Sequence, residues 1–192
     1  MTMEKTTIYF EKTGPENTDK LLSAAKMRAE ELGINDIVVA TTHGNTAIKA
    51  QEAFGPDANI VAVTLSEGFK DKGWTITGSE RKTLEDRGIK VLTSTHALGG
   101  DVGSAFTDKY GGGYPVRAVR DTLYRFGQGM KVAVEIVLMA ADAGLIGMDG
   151  EVMAIAGTGD GADTCIVVKP AYPRKFFELE IQEILAKPRT LD

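Results

Sequence analysis

The sequence predicts a three-layer α/β/α domain on a mainly parallel sheet with an antiparallel final strand. Three observations carry this reading. Short uninterrupted apolar runs recur at residues 37–40, 60–63 and 152–156, the pattern of strands covered on both faces by helices. Helix-type segments alternate with these runs, which argues for parallel strands joined by crossover helices. The final two strand-like runs, 152–156 and 165–168, are joined by only eight residues, 157–164. A parallel crossover takes a dozen residues or more, so this pair is expected to be antiparallel.

The elements follow in order. Residues 6–10 form a short β-type run ended by the turn signal Gly14-Pro15. Asn17 or Thr18 is placed to cap a helix reaching Leu32, with Leu21, Leu22, Ala25, Ala29 and Leu32 on one face and Gly33 as its stop. Residues 46–54 read as a second helix. A polar stretch, 66–78, contains Phe69 and Trp74. Residues 79–87 read as a helix closed by Gly88, although Ser79 and Lys82 do not make a capping box. Residues 89–92 are a third short strand. The six glycines between 93 and 114 argue against any regular element, so a long mobile loop is expected there. Pro115 suits the first position of a helix running to about Phe126. Residues 131–143 form a helix apolar nearly all round, hence central, and the tail from Arg174 is amphipathic and expected to pack back on the body.

Composition narrows the function. With 192 residues, 43% of them apolar, the chain can bury a substantial core as one domain, 1–192. The net charge is −5 and the basic residues are scattered, whereas a nucleic-acid groove needs a concentrated Lys/Arg stripe. Cys165 is the only cysteine, which excludes an internal disulfide and a multi-cysteine metal site and fits a reducing cytoplasm. No signal peptide or membrane span is read. The most apolar stretch, 132–146, is interrupted by Glu135 and Asp142 and is too short for a span of roughly 20 residues.

In open α/β sheets ligands bind beyond the carboxyl ends of the strands. After the strand 37–40 come Thr41, Thr42, His43, Gly44, Asn45 and Thr46, and then a helix. Small hydroxyl residues around a glycine let the backbone approach an anion, and the helix start supplies free N–H groups and a positive dipole end. The same residues also make an ordinary strand-to-helix turn with a capping side chain. The second candidate is Gly157, Thr158, Gly159, Asp160, Gly161, Ala162, Asp163 and Thr164. It contains a formal GxGxxA match, but that fingerprint must open a helix, and residues 165–168 read as a strand. A glycine-rich loop lining a pocket, or a plain β-hairpin turn, are the two readings left. Thr64, just beyond the strand 60–63, joins the candidate set.

Other residues carry weaker signals. His43 and His96 are the only histidines, each just past a predicted strand; they are the acid–base candidates, with hydrogen bonding to a ligand or loop as the plainer role. Two histidines without a carboxylate cluster do not make a metal site. Glu135 lies inside the apolar helix one turn after Lys131, with Asp142 seven residues on, which points to a structural ion pair or a helix-end contact rather than to catalysis. Cys165 starts an apolar strand and reads as core. Phe69, Trp74, Tyr110 and Tyr114 lie in irregular stretches, where each either anchors its loop or offers a face to a flavin or base ring.

Residues 40–47, the helix from Lys131 and residues 150–170 together resemble the C-terminal α/β domain of pyruvate kinase, and more closely the stand-alone proteins built from that domain. The family's Thr-x-Ser-Gly-Arg-Ser-Ala stands here as Thr41-Thr42-His43-Gly44-Asn45-Thr46-Ala47, and its later strand–glycine loop–strand corresponds to 151–169. The resemblance implies that both loops hold phosphate groups, that FMN is a ligand of some stand-alone relatives, and that the domain self-associates as a homo-oligomer. The catalytic barrel of pyruvate kinase is absent from this chain, so pyruvate kinase activity is not implied. Asn45 replaces an arginine and His43 a serine. A fixed positive charge and a bidentate donor are thereby lost, which favours a single phosphate held by amides and hydroxyls over a sugar bisphosphate.

Overall fold

The computed structural model describes residues 2–190. Its strands are β1 (Ile8–Phe10), β2 (Asp36–Ala40), β3 (Asn59–Thr64), β4 (Lys90–Thr93), β5 (Val152–Ala156), β6 (Thr164–Lys169) and β7 (Glu180–Pro188). Its helices are α1 (Thr18–Leu32), α2 (Asn45–Phe54), α3 (Gly78–Asp86), α4 (Val102–Tyr110), α5 (Pro115–Leu123) and α6 (Gln128–Asp142). The strands form one seven-stranded sheet in the order β1-β7-β6-β5-β2-β3-β4. The pairs β1–β7, β5–β2, β2–β3 and β3–β4 are parallel, while β5–β6 and β6–β7 are antiparallel. β6 alone therefore runs against the rest.

Period-two alternation builds the three layers. Ile37 and Val39 point into one core with Leu21, Ala25 and Ala29 of α1, Ala47 and Ala50 of α2, and Leu84 of α3. Val38, between them, points into a second core with Val134, Val137 and Leu138 of α6 and the flanking Val116, Val119 and Leu123 of α5. α6 is buried at nearly every position, as its all-round apolar sequence demands. Cys165 is fully buried, and desolvation pushes its thiol well above the ordinary range.

Four expectations need correction. The stretch 93–114 is not a loop throughout, because Asp101 accepts a bond from the Ser104 N–H (2.8 Å) and starts α4. Its glycines lie mostly at the helix flanks, with positive φ at Gly100, Gly111 and Gly112. α3 does have a capping box, made by Thr77 and Glu80 rather than from Ser79. α6 begins at Gln128, one turn earlier than expected. The tail contributes a full strand, β7, whose pairing with β6 has register shifts at Cys165/Ile166 and Val167/Val168. Those irregularities break the strict alternation of apolar residues by which a strand is read. β7 is tied to α1 by a forked ion pair in which Arg28 Nε and Nη2 reach Glu183 at 2.9 and 2.5 Å.

Candidate functional site

β2 and β5 are parallel neighbours with Ile37 opposite Met153, Val38 opposite Ala154 and Val39 opposite Ile155. Their carboxyl ends open on the same edge of the sheet, which brings the 41–46 and 157–164 loops side by side. The GxGxxA match leads into strand β6 and not into a helix, so the dinucleotide reading falls.

The first loop is shaped around Gly44. Its φ is +98°, and a Cβ there would lie 3.1 Å from Leu84 Cδ2. The Gly44 N–H donates to Thr41 Oγ1 at 2.9 Å, folding the loop back on itself. Gly44 is the N-cap of α2, whose start has no side-chain cap and no acidic residue in its first turn. The N-terminal amides and the positive dipole end of α2 therefore face the edge without a carboxylate from their own helix. His43 and Asn45 are exposed, whereas Thr46 is buried. His43 Nδ1 lies 3.3 Å from Glu80 Oε2. The Thr77 N–H chiefly holds the Glu80 carboxyl below its ordinary value, with the Thr77 hydroxyl and His43 adding to the shift against partial burial.

The second loop is more self-contained. The Thr158 N–H donates to Asp163 Oδ2 (3.0 Å) and the Gly161 N–H to Asp160 Oδ1 (2.9 Å). The Asp163 N–H donates to the Ala156 carbonyl (3.0 Å), and the Ala162 N–H to Thr18 Oγ1 (2.9 Å). Thr18, read as a possible cap, thus uses its hydroxyl to clamp this loop onto α1. Asp163 is 1% exposed and also accepts the Thr164 hydroxyl at 2.7 Å. It sits against the start of α6, since a Cβ on Gly129 would fall 3.0 Å from Asp163 Oδ1 and 2.2 Å from Thr164 Oγ1. The positive end of α6 therefore faces a carboxylate of the protein itself. Ala162, Asp163 and Thr164 are buried structural parts of the loop, while Gly159 and Asp160 remain exposed at its tip.

Thr64 is likewise engaged. It is 2% exposed, and its hydroxyl lies 2.5 Å from that of Thr93. Arg81 Nη2 donates to Thr93 Oγ1 at 2.7 Å from the far side. Thr64 thus joins β3 to β4 through its hydroxyl.

His96 belongs to a buried ionic cluster. Lys131 Nζ donates to Glu135 Oε2 at 2.5 Å, the ion-pair alternative read from the sequence, and the Leu98 N–H donates to Glu135 Oε1 at 2.8 Å. His96 Nδ1 stands 3.9 Å from the same carboxylate. Burial pushes the His96 imidazole below its ordinary value, with Glu135 opposing. Asp142, by contrast, is exposed and outside the cluster. Among the described residues no group of three or more His, Cys, Asp or Glu is arranged to hold a metal. No helix among them is long and apolar enough to cross a membrane. Two clefts of about 250 and 360 Å³ lie elsewhere, along β7.

Sequence reasoning missed Thr18, Thr77 and Glu80 as edge-forming residues. Only the Thr77-x-x-Glu80 spacing is a signal that one-dimensional reading can find; the Thr18 bond spans 144 positions.

Fold and edge together define an open α/β-sheet domain with two glycine-bearing loops at adjacent strand ends. The chain belongs to the family described as pyruvate kinase, alpha/beta domain, whose model matches residues 19–168. Two solved pyruvate kinase structures from Cryptosporidium parvum, one of them in complex with ADP, are similar to it at 14% identity and a TM-score of 0.40. The first match covers 78% of this chain and 22% of that one, the second 89% and 24%. The chain thus spans under a quarter of the length of those pyruvate kinase chains.

Proposed function

We propose that this domain binds a phosphate-bearing small molecule, FMN or a similar nucleotide or sugar phosphate, at the carboxyl ends of β2 and β5, and serves as a regulatory binding module. The parallel pairing of these strands supports the reading most directly, because it sets the 41–46 loop beside the 157–164 loop. An anion at the start of α2 gains backbone N–H donors and the helix dipole at once. Thr41, Thr42, His43, Gly44, Asn45 and the Gly159–Asp160 tip surround it. Asp160 and the buried Asp163 limit how much negative charge this edge accepts, which suits one phosphate better than two. The visible spectrum of the purified protein and mass spectrometry of what co-purifies test the flavin form. A yellow chromophore, or a thermal shift on adding FMN, is expected; the lack of both removes the flavin.

A second reading, an enzyme acting on such a ligand with His43 or His96 as acid or base, draws on α4. That helix has no buried residue, leaves Val102, Phe106 and Tyr110 exposed, and is flanked by glycines. A segment so lightly held is suited to act as a lid that excludes water. Self-association is proposed from the other end of the sheet. β1 pairs only Ala186, Lys187 and Pro188 of β7, so the earlier part of β7 has no strand partner on that side, although the Thr7 hydroxyl donates to its Ile184 carbonyl, and Phe177 nearby is 98% exposed. Light scattering that shows a monomer at micromolar concentration would end that proposal.

A further inference from the structure

The loops after β3 and β4 bring three flat side chains into one row, and the anion-binding reading uses none of them. The Phe69 ring stacks on Trp74 with centroids 6.1 Å apart and planes 20° apart. On its other side it stacks on His96 at 6.0 Å and 24°. The inner end of this row is fixed, because His96 is mostly buried beside the Glu135–Lys131 pair. The outer end is open, with Trp74 48% exposed. Lys72 Nζ lies 4.9 Å from the Trp74 ring centroid and 5.5 Å from that of Phe69, adding positive charge beside the flat surfaces.

An aromatic residue that merely anchors a loop buries its ring, since removing apolar area from water is what makes the anchor favourable. Phe69 does so in part. Trp74, the only tryptophan, continues the row outward into solvent instead. The row rises from the ends of β3, which neighbours β2, and β4, the next strand out. With strands about 4.8 Å apart, β3 and β4 lie roughly 5 and 10 Å from β2 across the sheet. A ribose or ribityl linker bridges such a gap between a phosphate and its ring.

Resting on the reading that α2 holds a phosphate, we propose that Phe69, Trp74 and His96 form the subsite for a planar heteroaromatic ring joined to that phosphate. The ligand is then a nucleotide-type ester and not a simple sugar phosphate.

Calorimetric titration with FMN, AMP, ribose 5-phosphate and inorganic phosphate tests this. At least one ring-bearing ester binds about tenfold tighter than ribose 5-phosphate, the scale of one base–aromatic stack. Trp74→Ala removes that advantage and leaves the affinity for ribose 5-phosphate unchanged, while Trp74→Phe restores part of it. Circular dichroism checks that both variants fold. Ribose 5-phosphate binding as tightly as both FMN and AMP, or a Trp74→Ala variant that keeps the full advantage, overturns the ring subsite while the anion site stands. Failure of every one of these ligands to bind overturns both the subsite and the reading on which it rests.

Discussion

The two loops at the shared edge of β2 and β5 look alike in composition and differ in what their polar groups already do. In the 157–164 loop the amides of Thr158, Gly161, Ala162 and Asp163 all donate within the protein. The adjoining start of α6 faces the buried Asp163. In the 41–46 loop the Thr41 N–H donates to the Val63 carbonyl and the Gly44 N–H to the Thr41 hydroxyl, and α2 starts without a side-chain cap. One loop is a structural clasp and the other an open donor set. Glycine content alone does not distinguish a binding loop from a scaffold; the destination of each N–H does.

The largest expected effect tests the clasp. Gly161 has φ +74°, and a Cβ there would lie 2.3 Å from the backbone Cα of Pro15. Gly161→Ala should therefore cost about 3 kcal/mol, read as a fall in Tm of roughly 10 °C. Gly44→Ala meets only a leucine side chain at 3.1 Å and should cost about half as much. Equal losses would erase the contrast between the loops.

Next comes the buried pair beneath the edge. Lys131→Met leaves Glu135 buried without its cation, since Glu135 is 2% exposed. A loss of about 3 kcal/mol is expected in urea unfolding, with an unchanged m-value. Thr18→Val orphans the Ala162 N–H and should cost about 1–2 kcal/mol by the same measurement. Asn45→Arg sharpens the open side of the comparison: a guanidinium beside the first turn of α2 should tighten inorganic phosphate binding about tenfold, in line with a charged, bidentate donor. No change in affinity would argue that the anion sits elsewhere.

The smallest effect is a pH dependence. The folded protein holds His96 below its ordinary value of 6.5, so the unfolded chain binds more protons as pH falls through about 6.5. Stability from this residue is present above that pH and declines below it. His96→Gln should flatten the acid side of a Tm-against-pH curve; an unchanged slope would show that His96 does not titrate on unfolding.

Much of the sheet was legible in the sequence because β2, β3 and β5 are buried on both faces and read as pure apolar runs. The antiparallel β5–β6 pair followed from loop length alone. β7 was not legible, since bulged pairing with β6 and partial exposure blur its alternation. α4 was hidden because no tertiary burial marks it, and its start is held by the Asp101 cap and by the Tyr114 hydroxyl that donates to Asp101. At the site, the 41–46 and 157–164 segments stood out as glycine-bearing turns after strands. Which of their N–H groups are engaged depends on Thr18 and Asp163, and such long-range partners leave no local trace.

If the start of α2, and not the 157–164 clasp, supplies the free donors of this edge, added phosphate perturbs the amides of α2 first. Following backbone amide resonances by ¹⁵N NMR during titration with inorganic phosphate tests it most directly. Saturable shifts are expected at Gly44, Asn45 and Thr46, with smaller ones at the Gly159–Asp160 tip and none at Ala162 and Asp163. Saturable shifts at Ala162 and Asp163 with none at residues 44–46 would contradict it.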